Sequence, residues 1–195
     1  MIPITSPSTT GRDLLSIAAG TSIAALRTAW GKNAAIVRAM PNTPGAIGRG
    51  ISVLYAPRGT PDVLRRRSEF LLAGLGETLW VAREELIDAV TAVSGSGPAY
   101  VFLLAECLAR AGRQQGLPAA IAGRLARVTV TGAGALLDCD RRQPELLRRD
   151  VTSPGGTTEA ALRVLMKNNS LARLMAEAVD AARARAEALR HGSEL

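Results

Sequence analysis

One segment of the chain combines two adjacent glycines with several hydroxyl side chains, directly before a stretch with helical periodicity. It runs from Thr152 to Glu159 and reads Thr-Ser-Pro-Gly-Gly-Thr-Thr-Glu. Glycines expose backbone N–H groups and a helix N-terminus favours negative charge, so the segment predicts a site for a small carboxylate or phosphate. A plain capped helix start, with Gly156 as the cap and Glu159 at the third position, explains the same pattern, and both interpretations stay open.

A second segment with chemical potential is Met40-Pro41-Asn42-Thr43-Pro44, which directly follows the strand-like run Ala35–Ala39. Such a position predicts the carboxyl end of a strand in a partly parallel sheet, the edge at which ligands bind in open α/β folds. An ordinary proline turn is the alternative interpretation.

A third segment, Ser94-Gly95-Ser96-Gly97-Pro98-Ala99-Tyr100, is superficially like a phosphate-binding loop. It lacks the third glycine and a preceding strand, which a phosphate loop requires. We therefore predict a tight break between two helices, with Ser96 or Gly97 as the helix cap.

The elements that must position these segments alternate between strand-like and helical runs in the first part of the chain. The predicted strands are Leu14–Ala18, Ala35–Ala39, Ile51–Tyr55 and Glu77–Val81. Helices are predicted to start at Thr21 or Ser22 and at Pro61. This alternation predicts an α/β domain with a partly parallel sheet over residues 1–83.

From Arg83 onward the pattern becomes helical throughout, which predicts a second, all-α domain over residues 84–195. Pro98, Pro118 and Pro144 each stand where a first helical turn would start. The helix after Pro98 is apolar around most of its circumference, so it must be buried on all sides. In a chain this small, such burial predicts a second subunit.

Composition excludes several other functions. The formal charge is +7, nearly all of it from arginine, but the only tight run, Arg65–Arg67, has no aromatic residues interleaved for base stacking. We expect no nucleic-acid partner. No run reaches the roughly 20 apolar residues that span a bilayer, so no membrane association is expected. Cys107 and Cys139 are isolated and there is a single histidine, which predicts no metal site, reduced thiols and a cytoplasmic location.

Taken in order along the chain, these motifs resemble the pyrroline-5-carboxylate reductase family. The motifs that carry the resemblance are Ile36–Pro44, Ala89–Tyr100 and Val151–Thr158, supported by Leu15–Leu26 and by Gly116-Leu117-Pro118. The resemblance covers roughly Leu14 to Leu189. Each motif alone is weak, whereas the ordered set is specific.

The resemblance implies reduction of the C=N bond of 1-pyrroline-5-carboxylate to L-proline, with NADPH or NADH, in proline biosynthesis. It also implies a Rossmann-type sheet followed by a helical dimerisation domain that interlocks with a partner subunit. By motif, the substrate would be bound by Ser153, Gly155, Gly156, Thr157 and Thr158, the first four of which would hold its carboxylate. Thr158 would be the catalytic residue beside the ring nitrogen, and Met40–Pro44 would bind the cofactor near its nicotinamide.

The chain departs from the family in two places. Family members carry about 70 further residues ahead of Leu14, including the first strand and the glycine-rich loop of the Rossmann unit. We therefore expect a truncated sheet with weakened or lost cofactor binding. The family often has Lys-Asp-Asn where this chain has Arg148-Arg149-Asp150. The alternative is an N-terminally truncated, catalytically weak or inactive oligomerisation protein that partners a full-length reductase; a late start-site assignment, a fragment and gene decay all stay open.

Overall fold

The computed structural model describes residues 2–3, 13–190 and 192. The described residues of Met1–Pro98 and Ala178–Leu195 form one compact unit, and Ala99–Glu177 form a second. The predicted domain boundary after residue 83 marks the change from an alternating strand and helix pattern to a helical one. The two compact units are defined by contacts instead, so that boundary stays a prediction.

Among the described residues, the first unit holds a five-stranded mixed sheet in the order β1-β2-β3-β4-β5. The strands are β1 Ile2–Pro3, β2 Asp13–Ser16, β3 Ala35–Met40, β4 Gly50–Tyr55 and β5 Gly76–Trp80. Two pairs, β2 with β3 and β4 with β5, are parallel, and the other two are antiparallel. The predicted partly parallel sheet is therefore confirmed, with strand bounds close to those expected from sequence.

The helix α1 (Ile23–Trp30) packs on one face of the sheet, and α2 (Asp62–Ala73) packs on the other. The buried residues on the α1 side are Leu14, Ile23, Leu26, Ala34 and Ile36. Those on the α2 side include Leu15, Val37, Ala39, Leu54, Leu64 and Leu72. Neighbouring strand residues point to opposite faces, so one short apolar strand such as β2 contributes to both sides of the sheet.

Both helices begin where local signals predicted. Ser22 caps α1, because its Oγ accepts a hydrogen bond from the N–H of Ala25 at 3.1 Å. Gly31 ends α1 with a φ of 104°, a backbone angle that favours glycine. Pro61 directly precedes α2, and its fixed φ suits the start of a helix.

The serine-glycine motif lies inside a continuous helical stretch. Leu86–Val90 forms α3, Thr91–Gly95 is a π-helical segment, and Gly97–Gln114 forms α4. The predicted break between two helices is reduced to the single residue Ser96, which separates the π-helical segment from α4. Ser96 keeps helical backbone angles, and its N–H donates to the carbonyl of Thr91, five residues earlier, at 2.8 Å. Pro98 accounts for the wider turn, because proline lacks an N–H and its ring clashes with the carbonyl four residues back in a regular α-helix.

The second unit is built from helices. They are α5 Ala119–Cys139, α6 Pro144–Asp150 and α7 Thr157–Met166, with part of α4 before them. A 3₁₀ turn, Lys167–Asn169, leads into α8, Ser170–Arg190, whose last residues belong to the first unit. The helical character predicted for this part of the chain is confirmed.

Two helical stretches, Leu86–Gln114 and Ala119–Cys139, are long and apolar enough to cross a bilayer by length and composition alone. The sequence expectation concerned uninterrupted apolar runs, whereas these helices are apolar on average, and the absence of a membrane partner stays a prediction. The criterion is weak, because core helices of soluble proteins also meet it. Little of either stretch is buried within the chain: Phe102, for example, is 68% exposed. Contiguous apolar surface of this kind indicates contact with another molecule.

A buried charge network crosses the first unit. Arg38 on β3 is only 1% exposed and contacts Oε1 of Glu84 at 3.0 Å. The same Oε1 accepts the N–H of Ile23 at 2.7 Å, at the start of α1. Asp88 on α3 lies 3.9 Å from Arg38 and also contacts Arg190 of α8. The four side chains together are formally neutral, which is the condition under which buried charges are tolerated.

Candidate functional site

The predicted cofactor segment lies where β3 ends. Met40 is the last strand residue, Pro41 and Asn42 form the turn, and Thr43–Ile47 is a short 3₁₀ helix. Within the segment Thr43 is exposed, while the other four residues are half-buried. The predicted strand-to-turn geometry is thus present, and it fits both the proline-turn and the ligand-binding interpretations.

The side chain of Asn42 makes two hydrogen bonds. Its Nδ2 donates to the carbonyl of Ser94 at 3.2 Å, and its Oδ1 accepts the N–H of Ile51 at 2.9 Å. The carbonyl of Asn42 also accepts the N–H of Gly45 at 3.1 Å. Asn42 therefore joins the turn after β3 to the first residues of β4 and to the π-helical segment.

Three glycines close the space behind this turn. A Cβ on Gly50 would lie 2.6 Å from Cα of Gly45 and 2.9 Å from Oδ1 of Asn42. A Cβ on Gly76 would collide with the backbone of Gly50, and Gly76 has a φ of 132°. The backbone segments approach so closely at Gly50 and Gly76 that only glycine fits there without a backbone shift. Sequence reasoning did not single out these glycines, since their contacts are made between distant segments.

Met40 faces the serine-glycine motif. A Cβ on Gly95 would lie 2.8 Å from the terminal methyl carbon of Met40. The side chains of Met40 and Asn42 thus both lie against the helical stretch around Thr91–Gly95. Two of the three sequence motifs, which are separated by about half of the first unit's length, are brought together in space.

The predicted carboxylate segment forms an open loop before α7. Ser153, Gly155 and Thr157 are exposed, whereas Gly156 and Thr158 are half-buried. Gly155 has a φ of 71°, which favours glycine, and Gly156 is the N-cap of α7. The loop thus supplies exposed backbone at a helix N-terminus, as the anion-site interpretation requires.

The two glycine amides of this loop already have acceptors within the chain. The N–H of Gly155 donates to Oε2 of Glu159 at 2.6 Å, and the N–H of Gly156 donates to the carbonyl of Ser153 at 3.0 Å. Gly156 is the N-cap and Glu159 is the third residue of α7, as the capped-start interpretation predicts, and Glu159 bonds to the residue before the cap. The contact places a carboxylate oxygen of the chain itself on the amide of Gly155.

A cavity of about 920 Å³ lies beside this loop, between α6 and α7. Its lining residues are Arg148, Arg149, Thr152, Glu159, Leu162, Arg163, Val164, Met166 and Lys167. The two exposed arginines Arg149 and Arg163 are paired with Glu145 at 2.6 Å and Glu159 at 4.0 Å. The cavity therefore combines apolar side chains with four cationic residues and one carboxylate, that of Glu159.

Asp150 belongs to an exposed ion cluster. Arg142 contacts Oδ2 of Asp140 at 2.7 Å and Oδ2 of Asp150 at 2.8 Å. The hydrogen bonds from the Arg142 side chain hold the pKa of Asp140 below its ordinary value. The same contacts raise the pKa of Arg142. The carboxylate of Asp150 is thus engaged in joining the α5–α6 loop to the end of α6.

The structure brings the predicted residues together as two local sets. Met40–Pro44 lies in the first unit, and Ser153 with Gly155–Thr158 lies in the second. Within the part of the chain that the structure describes, no cluster of three or more histidine, cysteine, aspartate or glutamate side chains could hold a metal ion.

Comparison with known proteins places this geometry in a wider context. Residues 84–189 match the family model described as pyrroline-5-carboxylate reductase dimerisation. Over 176 residues the chain is 43% identical to a pyrroline-5-carboxylate reductase of Pseudomonas aeruginosa, covering 90% of this chain and 64% of that protein. It is 41% identical to the enzyme of Arabidopsis thaliana over 170 residues, covering 87% and 61%.

Solved structures give the same similarity. A pyrroline-5-carboxylate reductase from Coxiella burnetii superposes with a TM-score of 0.85 at 38% identity, covering 91% of this chain and 65% of that one. A pyrroline carboxylate reductase from Plasmodium falciparum with NADP bound superposes with a TM-score of 0.81 at 30% identity, covering 92% and 68%. The chain spans somewhat less than two thirds of the length of the curated relatives cited above.

Proposed function

The chain belongs to the pyrroline-5-carboxylate reductase family, and from that premise we propose that it reduces 1-pyrroline-5-carboxylate to L-proline with NADPH or NADH, in proline biosynthesis. The single observation that carries the proposal is the carboxylate bound to the amide of Gly155 at the start of α7. It supports this loop as a binding place for the carboxylate of a small imino acid.

In the proposed complex, the substrate carboxylate replaces Glu159 at the loop. Ser153, Gly155, Gly156 and Thr157 hold it, because the freed amide of Gly155 and the N-terminus of α7 favour a negative charge at that position. The cost of displacing Glu159 is small, since its carboxylate is partly exposed to water and regains hydration.

Thr158 is the proposed catalytic residue. It lies in the first turn of α7 directly after the carboxylate loop, so a ring bound by its carboxylate places its nitrogen near this hydroxyl. The hydroxyl orients the ring nitrogen and helps to deliver a proton to it. Little further acid–base chemistry is needed, because an iminium carbon accepts hydride readily and correct positioning of the two carbons dominates.

The proposed cofactor is a nicotinamide nucleotide, by analogy with the NADP-bound relative. When bound, the reduced nicotinamide supplies the hydride. Exposed Thr43 and the half-buried rings of Pro41 and Pro44 fit a contact with the edge of a flat aromatic ring. The side chains of Met40 and Asn42 pack against the π-helical segment and support the turn. The rates of NADPH and NADH oxidation by the purified chain distinguish the two cofactors.

We also propose a homodimer or larger homo-oligomer. The match of residues 84–189 to a dimerisation family and the exposed apolar faces of α4 and α5 support it. In this proposal a second copy, rather than a bilayer or a nucleic acid, covers these faces. The free thiols of Cys107 and Cys139 fit a reducing, cytoplasmic location.

The test is an assay of the purified chain for NADPH and NADH oxidation in the presence of 1-pyrroline-5-carboxylate, with L-proline measured as product. Thr158→Val should lower kcat by about 100-fold, the lower range of loss for a proton-transfer group. Thr158→Ser, which restores a hydroxyl, should recover most of it. Thr28→Val is the control, because Thr28 bonds only within α1.

A second candidate function is a non-catalytic oligomerisation protein that partners a full-length reductase. The match of residues 84–189 to a dimerisation family favours it, because this region carries the exposed apolar faces of α4 and α5. Self-association without nicotinamide oxidation in the assay would support this function and contradict the reductase. Turnover at rates ordinary for enzymes, about 1 per second or more, would exclude it.

A further inference from the structure

The side chain of Asn42 makes hydrogen bonds within the protein that a role as a cofactor ligand does not explain. Both polar atoms of its side chain are used by the protein: Nδ2 bonds to the Ser94 carbonyl and Oδ1 bonds to the Ile51 N–H. The two partners come from separate elements of the first unit. The two bonds use one of the two N–H donors and one of the two lone pairs of the amide, and together they fix its orientation between the two elements.

The Ser94 carbonyl needs a donor for a specific reason. In a regular α-helix its partner would be the N–H four residues later, and that residue is Pro98, which has none. The π-helical turn over Thr91–Gly95 shifts the carbonyls out of the regular ladder. Asn42 supplies an N–H donor at this place. The bond is partly buried, and it stabilises the turn after β3 against the π-helical segment because the carbonyl gains a donor that Pro98 cannot supply.

The surroundings fix Asn42 on its other side. Oδ1 lies 2.9 Å from the position that a Cβ on Gly50 would occupy, so no larger residue fits there without a shift. The N–H of Gly45 bonds to the carbonyl of Asn42 itself at 3.1 Å. The amide side chain is thus held between β4, the 3₁₀ helix and the π-helical segment.

We propose that Asn42 is a positioning residue for cofactor binding and not a cofactor ligand. It holds the Met40–Pro44 turn at a fixed place relative to the π-helical segment, and the exposed backbone and Thr43 make the contacts. This inference rests on the proposed reductase function, in which the turn binds the nicotinamide nucleotide. A positioning role predicts that the effects of substituting Asn42 and Pro98 on cofactor affinity depend on each other. A direct contact between Asn42 and the cofactor predicts that they do not.

The experiment is a double-mutant cycle on the full chain, with the Kd for NADPH as the readout. Asn42→Ala should weaken NADPH binding about tenfold, the effect of losing one to two hydrogen bonds. Pro98→Ala restores an N–H four residues after Ser94. In the Pro98→Ala background, the loss caused by Asn42→Ala should therefore shrink to about threefold or less.

A second readout is hydrogen exchange at the Ile51 amide. Asn42→Ala should speed exchange at Ile51 by at least about tenfold, because the amide loses its acceptor. Asn42→Asp keeps that acceptor, so it should leave Ile51 protected while losing the bond to Ser94. If Asn42→Ala does not fold, Asn42→Asp takes its place in the cycle. Ser22→Ala is the control: it weakens the cap of α1 and should change the Kd by less than about twofold.

The outcomes distinguish the two claims. Equal losses in both backgrounds would mean that Asn42 contacts the cofactor directly, and would overturn the positioning role. An unchanged Kd for Asn42→Ala, in a wild-type chain that binds NADPH, would overturn the positioning role alone. A wild-type chain that binds neither NADPH nor NADH would overturn the proposed function and the inference with it.

Discussion

Arg190, the last residue of α8, donates a hydrogen bond from Nε to Oδ2 of Asp88 at 2.7 Å. Asp88 is 1% exposed and the Arg190 side chain 17% exposed, so the contact is largely shielded from water. The other oxygen of Asp88 has no hydrogen-bond partner and lies 3.9 Å from Arg38. The pair therefore fastens the end of the last helix to the helix that follows the sheet.

Replacing Arg190 should destabilise the first unit more than its position near the chain's end suggests. Arg190→Ala leaves a buried carboxylate without its close partner, which costs about 2–4 kcal/mol in the free energy of unfolding. Urea denaturation followed by circular dichroism measures this cost. Arg183→Ala is the matched control, because Arg183 pairs with Glu187 at the surface and should cost less than about 1 kcal/mol. Equal costs for the two variants would contradict the role of the pair.

Gly76 should tolerate no side chain. Gly76→Ala combines a φ of 132° with a collision against the backbone of Gly50, so we expect a loss of about 3 kcal/mol or a failure to fold. Gly59 also has a positive φ, of 83°, but nothing lies within 4 Å of its Cβ position. Gly59→Ala should therefore cost only about 1 kcal/mol. Thermal unfolding of both variants provides the comparison, and similar losses would rule out the close approach as the cause.

Glu159 should act as a competitor of the substrate carboxylate. In Glu159→Ala the amide of Gly155 loses its internal acceptor, so the KM for 1-pyrroline-5-carboxylate should fall about fivefold, equivalent to about 1 kcal/mol. The same change should cost α7 about 1 kcal/mol of stability. Glu145→Ala is the control, since Glu145 pairs with Arg149 and not with a glycine amide. A rise in KM for Glu159→Ala would mean that Glu159 assists binding.

The ion cluster around Arg142 should make stability depend on pH in the acid range. The pKa of Asp140 is lowered in the folded state by the hydrogen bonds from Arg142, so its stabilising effect is present above its unfolded pKa of about 4. It is lost as the pH falls through the lower, folded value. The difference in stability between wild type and Arg142→Gln should therefore be constant near neutral pH and vanish at low pH. Denaturation midpoints from pH 2 to pH 7 test this, and a difference that grows in acid would contradict it.

Most of the secondary structure follows from local sequence signals. The strands around Ile36 and Leu54 are short apolar runs, and α1 and α2 start at Ser22 and Pro61 as their caps predict. These signals act within a few residues, so one sequence is enough to find them. The π-helical segment was not predictable in the same way, because the turn depends on how the chain accommodates Pro98 within a longer helix.

The parts of the site that depend on distant contacts could not be predicted. Arg38 stands in an otherwise apolar strand, which was a signal for a buried ion pair, but nothing local identifies Glu84 and Asp88 as its partners. The motif around Asn42 was found, whereas its bonds to Ile51 and Ser94 were not, since these partners are 9 and 52 residues away. At the second loop the capping role of Glu159 was visible in the sequence because it is a local contact.

Phe102 on α4 should be part of the interface between subunits. It is 68% exposed within one chain. Removing a large aromatic side chain from the centre of an interface typically weakens the complex by about 2 kcal/mol or more. Phe102→Asp should therefore weaken self-association at least tenfold, as measured by sedimentation equilibrium in buffer without detergent. Phe70→Asp is the control, because Phe70 is 81% exposed but lies outside the matched dimerisation region. If wild type required detergent and Phe102→Asp did not change its assembly, a bilayer rather than a second copy would be the partner of these helices.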